Sequence, residues 1–261
     1  MKYLRVLILF AFVLAFAGCG QGGEQRTAET GAAADDTIVL AAYRHLAPGE
    51  KDGFYCSRIL DVWEPLITVN EETGEPAPCL AESWEMQDDG RVWVFHLRHG
   101  VRFHDGTPFT AQSVVDNLTW MGKAVRTSIF YLHNIKLYYP HLERAEVIDA
   151  HTLRLTFSQP NINQVYNMMN FGSAMYAPSC LADDGGFTGT ALGTGPFRIA
   201  ENMKDRYVVL ERNEDYYGEK ARARRIVVRS IPSADVRFAA LKAEEIMGVM
   251  DISAMPPVLA D

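Results

Sequence analysis

The chain is poor in the short motifs that announce chemistry. No P-loop string, no G-x-S-x-G and no H-E-x-x-H occurs in its 261 residues. Nothing therefore nominates a phosphate cradle, a nucleophile elbow or a zinc helix. Gly193-Thr194-Gly195 begins like a glycine fingerprint, but Pro196 follows and no third glycine arrives. Positive charge is scarce: 25 Lys and Arg stand against 33 Asp and Glu, for a net charge of −8 with no basic run. That balance disfavours a nucleic-acid partner. The one long apolar run, Val6–Ala17, has 12 residues. It is too short to span a bilayer, which excludes a polytopic membrane protein. Only four cysteines are present, none at the C-x-x-C spacing of a zinc or redox site. His96, His99 and His104 lie across a strand and a turn, where their side chains do not converge on a metal. Asp183-Asp184-Gly185-Gly186 lacks the alternating ligands of a calcium loop and reads as a turn.

What remains is ordinary globular composition, 48% hydrophobic and 22% charged, in a chain long enough to bury a sizeable core. The N-terminus is organised differently. Lys2 and Arg5 precede the apolar run, and Ala17-Gly18-Cys19 follows it. A basic start, an apolar middle and small residues at the cut make a secretory signal. A cysteine directly after the small residues resembles the lipobox of bacterial lipoproteins, with Phe16 in place of the usual Leu. Residues 1–18 are thus expected to be a signal peptide and Cys19 the lipidated first residue of the mature chain. Residues 20–36, rich in Gly, Ala, Glu and Thr with no bulky apolar side chain, complete a flexible, lipid-anchored tether over 19–36. In an exported chain Cys56, Cys79 and Cys180 allow either one disulfide with one thiol left over or three separate thiols.

The body begins at Thr37–Ala42, an apolar strand pattern. Ser57–Trp63 carries Ile59, Leu60 and Trp63 at helical spacing. Trp93, Phe95 and Leu97 alternate on a strand over Val92–Leu97, introduced by the turn signal Asp88-Asp89-Gly90. Thr110 caps a helix whose Val114, Leu118 and Met121 recur at i, i+4 and i+7. Leu153, Leu155 and Phe157 mark another strand, Tyr207–Glu211 and Arg225–Arg229 two more, and Ser233 caps a helix reaching Glu245. Strands and helices mix without a strict βαβ repeat, which argues for a mixed α/β or α+β body with more than one sheet. Pairs such as Phe54-Tyr55, Tyr138-Tyr139 and Met175-Tyr176 supply either core or the lining of a ligand cleft.

Several strings together are distinctive: Trp63-Glu64-Pro65-Leu66, Leu80–Trp84, Asp89-Gly90, the run Phe95–Phe109 (FHLRHGVRFHDGTPF), Gly193–Phe197, Arg212–Tyr217 (RNEDYY) and Ile231-Pro232. Over about residues 37–250 the chain resembles the family 5 extracellular solute-binding proteins, the peptide, nickel and opine receptors of ABC importers. The resemblance implies a mixed α/β, periplasmic-binding-protein type II-like fold. It implies that residues 37–261 are an incomplete family domain, holding the first lobe with its extra subdomain and lacking the second lobe. It further implies capture of a peptide or nickel chelate outside the cytoplasmic membrane, on the periplasmic or cell-surface side. Delivery to ABC permease subunits, no catalysis and no cofactor follow from the same likeness. A signalling or chaperone-like peptide-binding lipoprotein, or a non-functional truncated receptor, is the alternative. The quoted marks themselves, Arg98 and His104 included, read as scaffold.

The Arg212–Lys220 stretch is most similar to the nickel-type branch. By approximate spacing, that branch's lining positions fall at Cys56, at Arg126 with Phe130, and at Asn170-Phe171. An Arg at the last place would grip a chelator's carboxylates bidentately, which Asn170 cannot do. Tyr43, His45 and Tyr55 are further loop candidates. His45 and Cys56 carry metal-capable atoms, but direct coordination is not assigned to them. Peptide receptors of the family grip peptide backbone with their own backbone groups, so both ligand classes stay open. Cys19→Ala is expected to abolish incorporation of labelled fatty acid; equal labelling of wild type and variant would refute lipidation at Cys19.

Overall fold

A computed structural model of the chain describes residues 36–47, 55–123 and 135–250. The signal segment, Cys19, most of the tether, Phe54, Arg126 and Phe130 lie outside the described residues. In chain order the strands are β1 (Thr37–Ala42), β2 (Ile67–Val69), β3 (Pro76–Pro78), β4 (Ala81–Gln87), β5 (Val92–Leu97), β6 (Leu142–Asp149), β7 (Thr152–Phe157), β8 (Phe197–Met203), β9 (Tyr207–Arg212), β10 (Arg225–Ser230) and β11 (Gly248–Val249). The helices are α1 (Ala111–Lys123), α2 (Ile135–Tyr138), α3 (Gln164–Met168) and α4 (Ala234–Lys242).

These strands make one five-stranded sheet, β11-β1-β10-β9-β8, one four-stranded sheet, β4-β5-β7-β6, and a two-stranded ribbon, β2-β3. In the larger sheet β1 lies between β10 and β11 and runs parallel to both, from Thr37↔Arg225 to Ala42↔Ser230 and with Leu40↔Gly248. In the smaller sheet all pairings are antiparallel. There the alternating apolar residues meet across strands, Trp93 against Leu155 and Phe95 against Leu153. Trp93, Phe95, Leu97, Leu153, Leu155 and Phe157 are all buried in the main core. Full burial stabilises a side chain of this size by about 1.5–3 kcal/mol.

The capped helix forms as its periodicity predicts. Ser113 N–H points to Thr110 Oγ1 at 3.5 Å, Ser113 Oγ receives Thr110 N–H at 3.0 Å, and Val114, Leu118 and Met121 are buried. The segment Ser57–Trp63 differs from the helix its spacing predicts. It is a single π-turn, Tyr55–Ile59, in which Leu60 N–H reaches Tyr55 O at 2.8 Å. The left-handed Asp61 (φ 47°) then ends it. Trp63 is drawn away to donate its Nε1–H to Ala191 O at 2.9 Å, so tertiary contact overrides local spacing. α4 likewise stops at Lys242, three residues earlier than expected, with Glu244 left-handed at φ 57°. Cys56, Cys79 and Cys180 are not disulfide-bonded, so of the two cysteine readings the three separate thiols are found.

Close backbone contact explains the Gly-Thr-Gly string. A Cβ on Gly195 would meet Asp61 O at 2.0 Å and the carbonyl carbon of Val62 at 2.9 Å, both main-chain atoms that cannot swing aside. Gly195→Ala is expected to lower stability by about 2–4 kcal/mol in a denaturant melt. Gly189→Ala, whose Cβ meets nothing within 4 Å, should stay within about 0.5 kcal/mol of wild type. Equal stability of the two variants would contradict the close-contact reading.

Candidate functional site

The larger sheet presents the carboxyl ends of β1, β10 and β11 side by side. In open sheets with parallel strands, ligands settle beyond such ends. Three sequence candidates come straight off β1 or pack against the chain that does. Tyr43 is 38% exposed. Arg44 follows it, with its guanidinium carbon 5.6 Å from the Tyr43 ring centroid and 5.8 Å from that of Tyr55. Arg44 Nε donates to Tyr43 Oη at 3.2 Å and Nη1 to His45 O at 3.2 Å. His45 is half-buried, and its Nδ1 is enclosed with no hydrogen-bond partner among the described residues. Cys56 is buried in the main core, with its carbonyl oxygen accepting from Val62 N–H at 2.7 Å.

The turn Tyr55–Ile59 packs against a second turn, Phe171–Ser173. The Asn170 side chain caps that second turn by accepting from Gly172 N–H at 3.2 Å. The structure thus brings Tyr43, Tyr55, Cys56 and the Asn170-Phe171 position into one neighbourhood, while Arg126 and Phe130 lie outside the described residues. Arg44 was missed by sequence reasoning. Its signal was a lone cation directly after a buried strand, next to an aromatic residue. Among the described residues no three His, Cys, Asp or Glu side chains gather into a metal centre. His96 faces Glu85 at 3.6 Å, His99 packs on His151 with ring centroids 3.9 Å apart, and His104 turns inward.

Two buried amide and carboxyl groups hold these turns in place. Asn117 on α1 donates to Tyr176 O at 2.8 Å and accepts from Tyr176 N–H at 2.9 Å. Glu64 O accepts from Met175 N–H at 2.9 Å, and Pro65 bridges Ala174. The Glu64 carboxyl is itself buried and accepts three hydroxyls: Thr194 at 2.8 Å, Tyr216 at 2.8 Å and Tyr217 at 3.0 Å. Burial pushes this carboxyl above its usual range, and the three hydroxyl donors pull against that shift. Beside it, Arg98 donates Nε–H to Cys79 O at 2.5 Å and lies 5.7 Å from the Tyr217 ring centroid. Burial pushes the Cys79 thiol well up, so it stays protonated.

His104 bridges the Gly-Thr-Gly string. Its Nδ1 accepts from Gly193 N–H at 3.2 Å, and its Nε2 lies 3.1 Å from Gly195 O. One nitrogen accepting and one donating fixes a neutral ring protonated at Nε2. Arg98 and His104 therefore sit in the scaffold, as their place in the sequence marks implies. A cleft of about 160 Å³ opens beside His104, lined among others by Arg102, Arg198, Arg212 and Glu214. Its cations are engaged: Arg198 with Glu211 at 3.3 Å, Arg212 with Glu214 at 2.7 Å, and Arg102 with Gly106 O at 2.8 Å.

Comparison with known proteins fits this geometry. Residues 75–258 match the family described as bacterial extracellular solute-binding proteins, family 5 Middle, and the chain belongs to that family. The family is one of solute-binding proteins, not enzymes. The chain is 27% identical to heme-binding protein A of Haemophilus influenzae, over 99% of its own length and 51% of that protein's. It is 31% identical to the nickel-binding periplasmic protein of Escherichia coli, over 71% of its length and 35% of that protein's. Among solved structures it resembles the Helicobacter pylori periplasmic binding protein DppA in complex with the peptide STSA. That match has TM-score 0.68 and 26% identity, over 80% of this chain and 45% of that one. NikA of Brucella suis with Fe(III)-EDTA gives TM-score 0.69 and 27% identity, over 80% and 42%. The chain spans about a third to about half the length of these relatives. The fold is the mixed α/β fold of periplasmic binding proteins.

The neutral, enclosed His104 makes stability depend on pH. Burial is the main cause that brings its pKa from 6.5 down to about 4. Between those values the unfolded chain takes up a proton that the folded chain refuses. The contribution is therefore intact above pH 6.5 and is lost as pH falls toward 4, by up to about 3 kcal/mol. Urea melts at pH 7, 5.5 and 4.5 should show this loss in wild type and a flatter dependence in His104→Gln. Parallel curves for the two proteins would contradict it.

Proposed function

We propose that this chain is the substrate-binding part of an ABC importer. It captures its ligand outside the cytoplasmic membrane and presents it to permease subunits, held to the membrane by a lipid on Cys19. The observation that carries the proposal is the cluster beyond the carboxyl end of β1. There the Tyr43 and Tyr55 rings flank Arg44, and the turn that carries Tyr55 packs against the Phe171–Ser173 turn, on a scaffold shared with peptide- and chelate-bound relatives. This cluster forms one wall of a cleft, and the described residues correspond to the first lobe of a two-lobed, type II-like binding protein. Such a wall works by burial: polar contacts to a ligand gain strength when a facing surface excludes water.

The ligand is a peptide or a metal chelate, with heme as a third candidate from the relative in Haemophilus influenzae. Uptake of a labelled tripeptide, of ⁶³Ni-histidine and of heme by cells lacking the gene tests the proposal. Uptake of one of the three should fall at least tenfold and return with a plasmid copy. Unchanged uptake of all three would overturn the importer role.

A further inference from the structure

Two histidines meet at one end of the smaller sheet. His99 is exposed in the loop that follows β5, and His151 is half-buried in the turn between β6 and β7. Their ring centroids are 3.9 Å apart and their planes are inclined at 69°, an edge-to-face contact. The His151 Nδ1 is enclosed yet has no hydrogen-bond partner among the described residues. An enclosed imidazole nitrogen costs free energy unless a partner, a water or an ion completes it. The main chain beneath the pair is tied on three sides. Leu97 N–H donates to His151 O at 2.7 Å, which joins the end of β5 to the turn. His151 N–H donates to Asp149 Oδ1 at 2.8 Å, and Ala111 N–H, at the start of α1, donates to Ala150 O at 2.9 Å. Spacing along the chain hides the pair, because the partner of His99 comes from another hairpin. His96, three residues before His99, faces Glu85 instead.

We propose that His99 and His151 form a binding site for a divalent transition-metal ion of the nickel, copper and zinc class. Neutral imidazole suits these ions, whereas magnesium and calcium take oxygen ligands. An ion held by two imidazoles at about 2.0–2.1 Å keeps the donor nitrogens about 3.0–3.4 Å apart. Rings with centroids 3.9 Å apart reach that spacing by side-chain rotation alone. The exposure of His99 leaves room for water at the remaining coordination positions. The Asp149 carboxylate at the head of the turn adds negative charge beside the pair, which favours a cation. Two protein ligands make the site an exchangeable one, not a structural centre of the four-ligand kind. Bound there, the ion ties the loop after β5 to the β6–β7 turn, on a different sheet from the strand that leads to Tyr43.

The test uses the full chain with ¹⁵N-labelled histidine rings, followed by NMR at neutral pH. The probes are zinc chloride, nickel chloride and magnesium chloride. Zinc should shift the His99 and His151 ring resonances together and saturably. Nickel, being paramagnetic, should broaden the same two rings first, and magnesium should leave every ring unchanged. His99→Gln and His151→Gln should each weaken zinc binding by about tenfold or more, while His96→Gln keeps the wild-type affinity. Because His99 is exposed, His99→Gln should also keep the wild-type melting temperature. Zinc that shifts His45, His96 or His104 before these two rings overturns the site in the wild-type chain itself, whatever the variants do. Wild-type affinity in either single variant overturns it as well, since one ring then suffices. An equal response to magnesium refutes the choice of a transition metal.

Discussion

One buried carboxyl group organises much of this molecule. Glu64 takes hydroxyls from Thr194, 130 residues away in the chain, and from Tyr216 and Tyr217, more than 150 residues away. A buried carboxyl with no partners would cost several kcal/mol; with three donors it becomes a fixed junction. The junction joins three of the sequence's distinctive strings, Trp63–Leu66, Gly193–Phe197 and Arg212–Tyr217. The glycines on either side of Thr194 allow its main chain to lie against residues 61–63, and without that approach Thr194 could not reach Glu64.

The loops beyond β1 inherit their position from this junction. The main chain of Glu64 and Pro65 pairs with Ala174 and Met175, and Asn117 clamps the next residue, Tyr176. The Phe171–Ser173 turn is therefore held from both the junction and α1. The Tyr55–Ile59 turn rests on it and carries the ring that faces Arg44. The Glu64 junction and the loops beyond β1 are thus mechanically continuous.

How much of this was legible in the sequence follows from which faces are buried. β5, β7 and α1 read correctly because each has one apolar face at a clear period, and those residues are buried, while β1 was legible as a short apolar run whose last two residues, Ala41 and Ala42, are buried. β4, β6 and β8 were not legible. Their sequences, AESWEMQ, LERAEVID and FRIAENM, are charged because they lie at sheet edges, where charge discourages pairing with other chains. The Ser57–Trp63 misreading has the opposite cause: a good local pattern lost to Trp63's contact with Ala191. The sequence strings identified the family, yet their meeting at Glu64 depends on side-chain pairings that no spacing rule reveals. Beyond β1, Tyr43 and Tyr55 were visible as loop aromatics, whereas Arg44 became visible only once both rings were placed around it.

The parallel placement of β1 has a consequence for how the molecule comes together. Its first residue pairs with Arg225, and its other neighbour begins at Gly248. β1 therefore has neither neighbour to pair with until nearly the whole described chain has left the ribosome. The smaller sheet, made of Ala81–Phe157 alone, needs far shorter loops to close. Loop-closure entropy accordingly favours early pairing in the smaller sheet and late joining of β1. The segment Tyr43–Ala47 that follows β1 cannot take its final place before that strand is paired.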